Sequence, residues 1–155
     1  MEISAEFLGQ LVEQNRYTCS FSFDKVGSHN HHLKLNADTA SLGFLYRHVG
    51  EMMLLLGTFL GMETGVENTT MGYNDTGQGA DTEASRALVS QGYDMLEGLA
   101  SSRGADWWME PVETPFFGQI TRLRLFAHIL NHNAYHSGQM GLTLKRPDPG
   151  RRPTE

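Results

Sequence analysis

Apolar residues recur at spacings of three and four along four segments of the chain, which is the pattern of amphipathic helices. The first segment, residues 4–23, begins at Ser4, a residue type that favours the N-cap position. One face of this segment carries the apolar residues Phe7, Leu8, Leu11 and Val12. Its last part, "YTCSFSF", has the aromatic and hydroxyl content of a strand, but we predict that the helix continues through it.

The second segment is the most apolar part of the chain. It follows Asp38 and runs through residues 39–61, with apolar positions at Leu42, Leu45, Val49, Met52, Met53, Leu56 and Leu60. Because these residues cover a wide arc, the helix is predicted to be buried on most sides. A long irregular stretch rich in Gly, Asn and Thr follows at residues 63–81, and loops of this length in compact domains are usually functional or mobile.

Two further helices are predicted in the second half of the chain. The third, residues 82–103, has Asp81 as a candidate N-cap, and Gly104 is expected to stop it. The fourth follows Thr121, a second candidate N-cap, and continues to about Lys145, where a proline-rich tail begins.

Four amphipathic helices without a convincing series of strands predict an all-α fold, a four-helix bundle. The connections are unequal in length, which indicates long crossover loops. Between the third and fourth helices, "ADWWMEPVETPFFG" is expected to form an aromatic crossover that packs on the bundle. We predict one domain over residues 1–146 and a flexible C-terminal tail over residues 147–155.

Charge argues against nucleic acid as a partner. The chain of 155 residues has 12 Lys and Arg against 18 Asp and Glu, a formal net charge of −6. Binding duplex DNA requires a cationic surface that neutralises phosphates. The basic cluster visible in the sequence lies in the proline-rich tail, where a solvated terminus explains it better than a nucleic-acid arm does.

The cellular compartment is predicted from three features of the sequence. The chain has no apolar run near the roughly 18 residues that a membrane-spanning helix needs. Its N-terminus lacks the basic and apolar pattern of a signal peptide. A single cysteine, Cys19, excludes an internal disulfide and fits a reducing compartment. We therefore expect a cytoplasmic protein without a membrane partner.

Histidines in the last segment carry the candidate chemistry. In "HILNHNAYHSGQM", residues 128–140, the histidines His128, His132 and His136 are four positions apart. Residues four apart stack on one helix face with β-carbons about 5–6 Å apart, so two imidazoles can converge on one ion. Each such step turns about 40° past a full circle. We therefore expect at most two of the three to bind the same metal.

The second helix offers a third ligand. His48 lies on an otherwise apolar stripe between Leu45 and Met52, where an imidazole without a partner is costly to bury. If His48 faces the last helix, a three-histidine site with one or two open positions results, which is typical of a catalytic metal. Two other interpretations stay open at this point: a hydrogen-bonded core histidine at position 48, and a chance pair on a solvated last helix.

Other candidate chemistry in the sequence is weaker. The cluster "HNHH", with His29, His31 and His32, falls in a predicted loop and is expected to be solvated. The Glu-x-x-His pairs of di-iron bundles and the H-E-x-x-H motif of zincins do not occur in the sequence. Cys19 has no base near it in sequence and is expected to be a small buried residue.

Two stretches taken together resemble a known family. "SLGFLYRHVGEMM" (residues 41–53) and "RLFAHILNHNAYHSGQM" (residues 124–140) are similar to sequences of the DinB-like family of damage-inducible proteins. The wider group includes bacillithiol and mycothiol S-transferases and thiol-dependent isomerases. The resemblance implies a four-helix bundle that holds a divalent metal ion, commonly zinc or nickel, through three histidines. Matched by motif, these ligands are His48, His132 and His136.

The resemblance also implies roles for neighbouring residues. His128 is expected to support the site, or to pack nearby with a hydrogen bond. Gln139 falls on the same face as His136 and either orients that ring or is an exposed amide. Glu51 is the nearest candidate base, although a solvated helix carboxylate is the stronger expectation. Many family members carry arginine where this chain has Ser137, so a role of that cation in holding an anionic thiol is in doubt here.

The expected function is that of a metal-dependent enzyme in which a low-molecular-weight thiol or a metal-bound water attacks a small electrophile. The reaction would be thiol transfer or hydrolysis. The alternative is a non-enzymatic metal-binding protein of the stress or damage response that acts through a partner. A purely structural bundle without metal is a third possibility. A homodimer is expected because bundle helices as apolar as the second segment often share a surface with a partner. Imidazole ligands suit zinc, nickel, copper and iron, so the metal stays open.

Overall fold

The computed structural model describes residues 4–149, and most of its elements are helical. In chain order these elements are α1 (Ala5–Phe23), α2 (Leu42–Phe59), α3 (Thr82–Ser102), α4 (Ala105–Met109), β1 (Pro111–Thr114), β2 (Gly118–Thr121) and α5 (Arg122–Lys145). The prediction of a mainly helical chain is confirmed. The tail predicted for residues 147–155 lies outside the described residues from position 150 onward.

Helix α1 begins where the sequence predicts. The Ser4 hydroxyl accepts a hydrogen bond of 3.1 Å from the Phe7 amide, as an N-cap does. The helix runs through the whole strand-like stretch, because burial of its inward side chains against other helices outweighs local propensity. Its apolar face is only half buried: Leu8 and Val12 are in the core, whereas Phe7 and Leu11 are 60% and 42% exposed.

Helix α2 begins three residues later than the pattern suggests. Its N-cap is Ser41, whose hydroxyl accepts from the Phe44 amide at 3.3 Å, and not a residue near Asp38. The Ser41 amide is held by the Asp75 carboxylate at 2.8 Å, which keeps the preceding residues in the loop. Burial of α2 on most sides is confirmed. This coverage removes the reason for expecting a partner subunit on α2.

Two loops meet at the start of α2. The Gly43 amide donates to the His31 carbonyl at 2.8 Å, which docks the loop before the helix. Gly79, in the loop of residues 63–81, approaches Gly43 so closely that a β-carbon on Gly79 would lie 1.9 Å from the Gly43 carbonyl carbon. Only glycine fits such a contact between two backbones. The loop of residues 63–81 is therefore fixed against the helix that carries His48.

Helices α3 and α5 have their predicted N-caps. The Asp81 carboxylate accepts from the Ala84 amide at 2.9 Å, and the Thr121 hydroxyl accepts from the Arg124 amide at 3.2 Å. Helix α3 stops before Gly104 as expected, because its C-cap is Arg103, but Gly104 does not adopt the left-handed conformation of a typical glycine stop. Helix α3 ends at Ser102, and Gly104 has a φ of −82° and serves as the N-cap of α4.

The segment between α3 and α5 contains a hairpin that the sequence pattern did not predict. Strands β1 and β2 pair antiparallel, with Pro111 opposite Thr121. Each strand has four residues, which is too short for a clear alternation of polar and apolar positions. The predicted packing of this aromatic crossover is confirmed, because the fully buried Trp108 of α4 lies against Phe126 of α5 with ring centroids 5.0 Å apart.

The four long helices contact one another in a ring. Helix α1 packs against α3 and α5, and α2 packs against the same two helices. The inner faces of α2 and α5 therefore meet, and this contact brings the second segment of the sequence against the last. None of the helices in residues 4–149 has the length and hydropathy that crossing a lipid bilayer requires.

Candidate metal centre

The three histidines matched by motif lie together where α2 faces α5. His132 and His136, one turn apart on α5, have their Nε2 atoms 3.1 Å apart. The Nε2 atom of His48 on α2 lies 3.2 Å from that of His132. Within residues 4–149 this trio forms a group whose ligand atoms all fall within 4.8 Å of one another. The structure thus brings together the three predicted ligands; their binding of a metal stays a prediction.

The spacing of these nitrogen atoms fits a small divalent ion. Two nitrogens bound at about 2.0–2.1 Å in a tetrahedral arrangement are roughly 3.3–3.4 Å apart. The observed separations of 3.1 and 3.2 Å are close to that value. Two imidazole nitrogens at such a distance are satisfied only if one donates a proton to the other or if both bind a cation. The arrangement can therefore hold a divalent metal ion.

The outer nitrogen atoms of two rings are held by other side chains. The Nδ1 atom of His136 lies 2.7 Å from Oε1 of Gln139, and Nδ1 of His48 lies 3.1 Å from the hydroxyl of Thr70. An amide oxygen only accepts, so Nδ1 of His136 donates and its Nε2 keeps a lone pair for a metal. Of the two expectations for Gln139, the one in which it orients the ring of His136 is confirmed.

Burial keeps the three imidazoles neutral. It lowers the pKa of His48 to about 4, with the charge of His136 adding to the fall and that of Glu51 opposing it. Burial lowers the pKa of His132 to about 3, and the neighbouring histidines lower it further. The pKa of His136 is also lowered by burial, against the opposing hydrogen bond to Gln139. Neutral imidazole is the form that binds metal, so the site needs no deprotonation at neutral pH.

Glu51 is not the solvated carboxylate that the sequence suggested. It is fully buried, because the loop of residues 63–81 covers the face of α2 that it occupies. Burial raises the pKa of its carboxyl group, but hydrogen bonds from Thr69, Thr70 and Arg47 outweigh that effect and the net pKa is lowered. The carboxylate reaches the site indirectly, because the Thr70 hydroxyl that donates to Glu51 also contacts His48.

The remaining histidines lie outside the trio. His128 packs against Phe117 with ring centroids 4.6 Å apart, and its centroid is 6.1 Å from that of His132. His128 thus packs nearby as expected, but within residues 4–149 its ring makes no hydrogen bond that accompanies this packing. In the "HNHH" loop, His29 and His32 are exposed as expected, whereas His31 is half-buried.

Cys19 of α1 and Ser137 of α5 lie where these two helices pack together. Cys19 is fully buried as expected, and burial raises the pKa of its thiol. Ser137 is 7% exposed, and its carbonyl accepts from the Ser22 hydroxyl of α1 at 2.9 Å. The position where many family members carry arginine is thus packed against α1 in this chain.

Thr70 is the site residue that sequence reasoning missed. It is 2% exposed and comes from the irregular stretch between α2 and α3. Neither its residue type nor its spacing from His48 marks it, because loop residues have no period that fixes their direction. The unusual length of that loop was the available signal.

A cavity of about 300 Å³ lies beside His136. Its lining consists of Leu35, Thr39, Ala40, Leu45, His136, Gln139, Leu142 and Thr143. Among these described residues there is no Asp, Glu, Lys or Arg. The volume is at the lower end of the range for small-molecule sites, roughly 300–1,000 Å³. The wall suits a small, uncharged molecule.

Comparison with known proteins shows to which family the chain belongs. The model of the DinB superfamily matches residues 28–140, a range that includes all three histidines and the whole of α2 and α3. No curated protein matches the chain significantly. Because the family match covers well over half of the sequence, the chain belongs to the DinB superfamily.

Proposed function

We propose that this chain is a metal-dependent enzyme built on a four-helix bundle, with a divalent ion, zinc or nickel, held by His48, His132 and His136. The observation that carries the proposal is the convergence of three Nε2 atoms from two helices, with 3.1 and 3.2 Å between neighbours. The ring of contacts among the four long helices supports the bundle. Membership of the DinB superfamily fits the same assignment.

The donor set favours catalysis over a purely structural role. Three protein ligands leave a tetrahedral ion one further position, as in catalytic zinc sites. A divalent ion in such a site lowers the pKa of a thiol or water that it binds. The neutral imidazoles position the ion without cancelling its charge, and Gln139 and Thr70 hold two of the rings in the required orientation.

The cavity beside His136 supports a small electrophile as substrate. Leucines of α2, α5 and the loop before α2 supply apolar surface, and Thr39, Gln139 and Thr143 supply polar atoms. The proposed reaction is either transfer of a low-molecular-weight thiol to such an electrophile or hydrolysis of the electrophile.

Metal content tests the first part of the proposal. Protein purified without an affinity tag or added metal is expected to carry about one equivalent of zinc or nickel. His132→Ala and His136→Ala are expected to lose it, because each removes one of three ligands. His32→Ala, an exposed histidine of the loop before α2, is the matched control and is expected to retain the metal. Equal metal content in all four proteins would contradict the proposed site.

Turnover tests the second part. Metal-loaded protein is mixed with small thiols and model electrophiles, and the rate is compared with that of free metal ion and of His136→Ala. A rate above both supports an enzyme.

One observation favours the non-enzymatic alternative, a metal-binding stress or damage-response protein. Glu51, the nearest candidate base, is fully buried and engaged with Arg47, Thr69 and Thr70, so it is not free to take a proton from a substrate. If the metal-loaded protein is inactive, this alternative predicts that metal removal changes the melting temperature or the oligomeric state.

The homodimer stays a proposal as well. The surface that supports a dimer is on α1 and not on α2. It consists of exposed apolar side chains, which include Phe7, Leu11 and Phe21. Sedimentation at several protein concentrations is expected to give twice the mass of one chain. A single-chain mass throughout would overturn it.

A further inference from the structure

Glu51 is a buried carboxylate whose hydrogen bonds come from its own helix and from one loop. Its Oε1 atom accepts from Arg47 Nε at 2.7 Å and from the Thr69 hydroxyl at 2.6 Å. Its Oε2 atom accepts from the Thr69 amide at 2.9 Å and from the Thr70 hydroxyl at 2.7 Å. A carboxylate that is buried away from water needs hydrogen-bond donors to both of its oxygens. Three of these four donors belong to the loop of residues 63–81.

The single hydroxyl proton of Thr70 determines which ring nitrogen of His48 carries a proton. A hydroxyl has one proton, and that of Thr70 is given to Glu51 Oε2, which as a carboxylate oxygen can only accept. The contact of 3.1 Å between Thr70 Oγ1 and Nδ1 of His48 must therefore have the histidine as donor. Neutral His48 then has its proton on Nδ1 and its lone pair on Nε2. That lone pair faces His132 and His136.

The loop holds Thr70 in place through further contacts. The Asn68 side chain accepts from the amides of Thr70 and Met71 at 3.3 and 2.9 Å, which forms a local turn. The side-chain amide of Gln78 donates from Nε2 to the Thr69 carbonyl at 3.2 Å. At its far end the loop lies against Gly43 through Gly79. The position of Thr70 therefore depends on docking of the loop as a whole.

We propose that Thr70, held by Glu51, is a positioning residue that keeps His48 in the tautomer that binds metal, so that docking of the loop of residues 63–81 sets the metal affinity of the site. The inference rests on the proposed metal site. Coupling of this kind is reciprocal, so metal binding also stabilises the docked loop. Nothing in the inference requires Thr70 or Glu51 to contact substrate.

The tautomer of His48 is measured first, in metal-free protein, by the nitrogen-15 chemical shifts of its ring. Wild type and Thr70→Ser are expected to have the Nδ1-protonated form, because both carry the hydroxyl. Thr70→Val, which has the same shape without the hydroxyl, is expected to lose this preference. An unchanged tautomer in Thr70→Val would overturn the positioning role, whether or not the protein binds metal.

Metal affinity is measured next, by competition of each protein with a chromophoric zinc chelator. Loss of an outer hydrogen bond to a metal-bound histidine typically weakens affinity about 10–100-fold, and this is the fall expected for Thr70→Val. Thr70→Ser is expected to stay near wild type. Thr82→Val, a buried threonine at the start of α3, controls for the loss of a buried hydroxyl and is expected to leave affinity unchanged.

Hydrogen exchange at the Thr69 amide, which donates to Glu51, reports the loop. Zinc is expected to slow this exchange in wild type and much less in Thr70→Val. A wild-type chain that binds neither zinc nor nickel would overturn the proposed function, and with it the effect on affinity. Equal affinities of wild type and Thr70→Val would overturn the inference alone.

Discussion

The Nε2 atoms of His48 and His132 lie 3.2 Å apart although the two residues are 84 positions apart in sequence. The first belongs to α2 and the second to α5, so this distance exists only when the two helices are docked. In an unfolded chain the same nitrogen atoms are far apart on average. An ion that needs both residues therefore binds the folded state in preference to the unfolded one.

Metal should accordingly stabilise the fold. A ligand at 100 times its dissociation constant adds about 2.7 kcal/mol to the free energy of unfolding. For a chain of this size that corresponds to a rise in melting temperature of roughly 5–10 °C. We expect zinc to produce this shift in wild type and a chelator to reverse it, as measured by scanning calorimetry. In His48→Ala the shift should be much smaller, while His32→Ala should respond as wild type does; an equal shift in His48→Ala would contradict the site.

Acid should destabilise the metal-free protein before the carboxylates titrate. The pKa values of His48 and His132 are about 4 and about 3 in the folded chain, against about 6.5 when unfolded. Below about pH 6.5 the unfolded chain therefore binds more protons, and the free energy of unfolding falls by up to roughly 1.4 kcal/mol per pH unit for each histidine. The contribution is fully present above about pH 6.5 and is lost as pH falls toward the folded values.

Urea denaturation of metal-free protein between about pH 7.5 and about pH 5 measures this slope. His132→Gln should flatten it, because glutamine does not titrate. His29→Gln, which removes an exposed histidine of the loop before α2, is the control for the substitution itself. A slope that is the same in His132→Gln and in wild type would contradict the buried, neutral state of this ring.

The contact between Gly79 and Gly43 predicts a steric effect on the loop that contains Thr70. In Gly79→Ala the new β-carbon would lie 1.9 Å from a backbone carbon, so the loop must move away from α2. We expect a loss of about 1–3 kcal/mol or more in the free energy of unfolding. Gly98→Ala is the control, because its β-carbon meets no atom within 4 Å and alanine favours a helix. Similar stability of the two variants in urea denaturation would contradict the close approach.

Helix positions and the histidine pairs one turn apart on the last helix could be predicted from the sequence because both depend on spacing. The N-caps at Ser4, Asp81 and Thr121 follow from residue type and the start of an apolar period. The two stretches that resemble the DinB-like family selected His132 and His136 as the metal-binding pair, rather than His128 and His132. Spacing alone left that choice open, since both pairs are one turn apart.

What could not be predicted depends on tertiary contacts of irregular segments. Helix α2 begins after Ser41 and not directly after Asp38, and the carboxylate of Asp75, 34 positions away, accepts a hydrogen bond from the Ser41 amide. Glu51 is buried because loop threonines cover it, and no periodic pattern gives the direction of a loop. The hairpin between α4 and α5 is too short for its strands to be distinguished from turns.

Substitution of Gln139, which contacts His136, should change the zinc affinity of the site in a direction that depends on the charge of the new side chain. Oε1 of Gln139 lies 2.7 Å from Nδ1 of His136 and accepts its proton. A stronger acceptor makes a metal-bound imidazole more basic, whereas loss of the acceptor frees the ring to rotate. We expect Gln139→Glu to bind zinc at least as tightly as wild type, and Gln139→Leu to bind it about 10–100-fold more weakly. Calorimetric titration of the metal-free proteins measures both affinities. Weaker binding by Gln139→Glu than by Gln139→Leu would mean that the side chain at position 139 does not act on the site through His136.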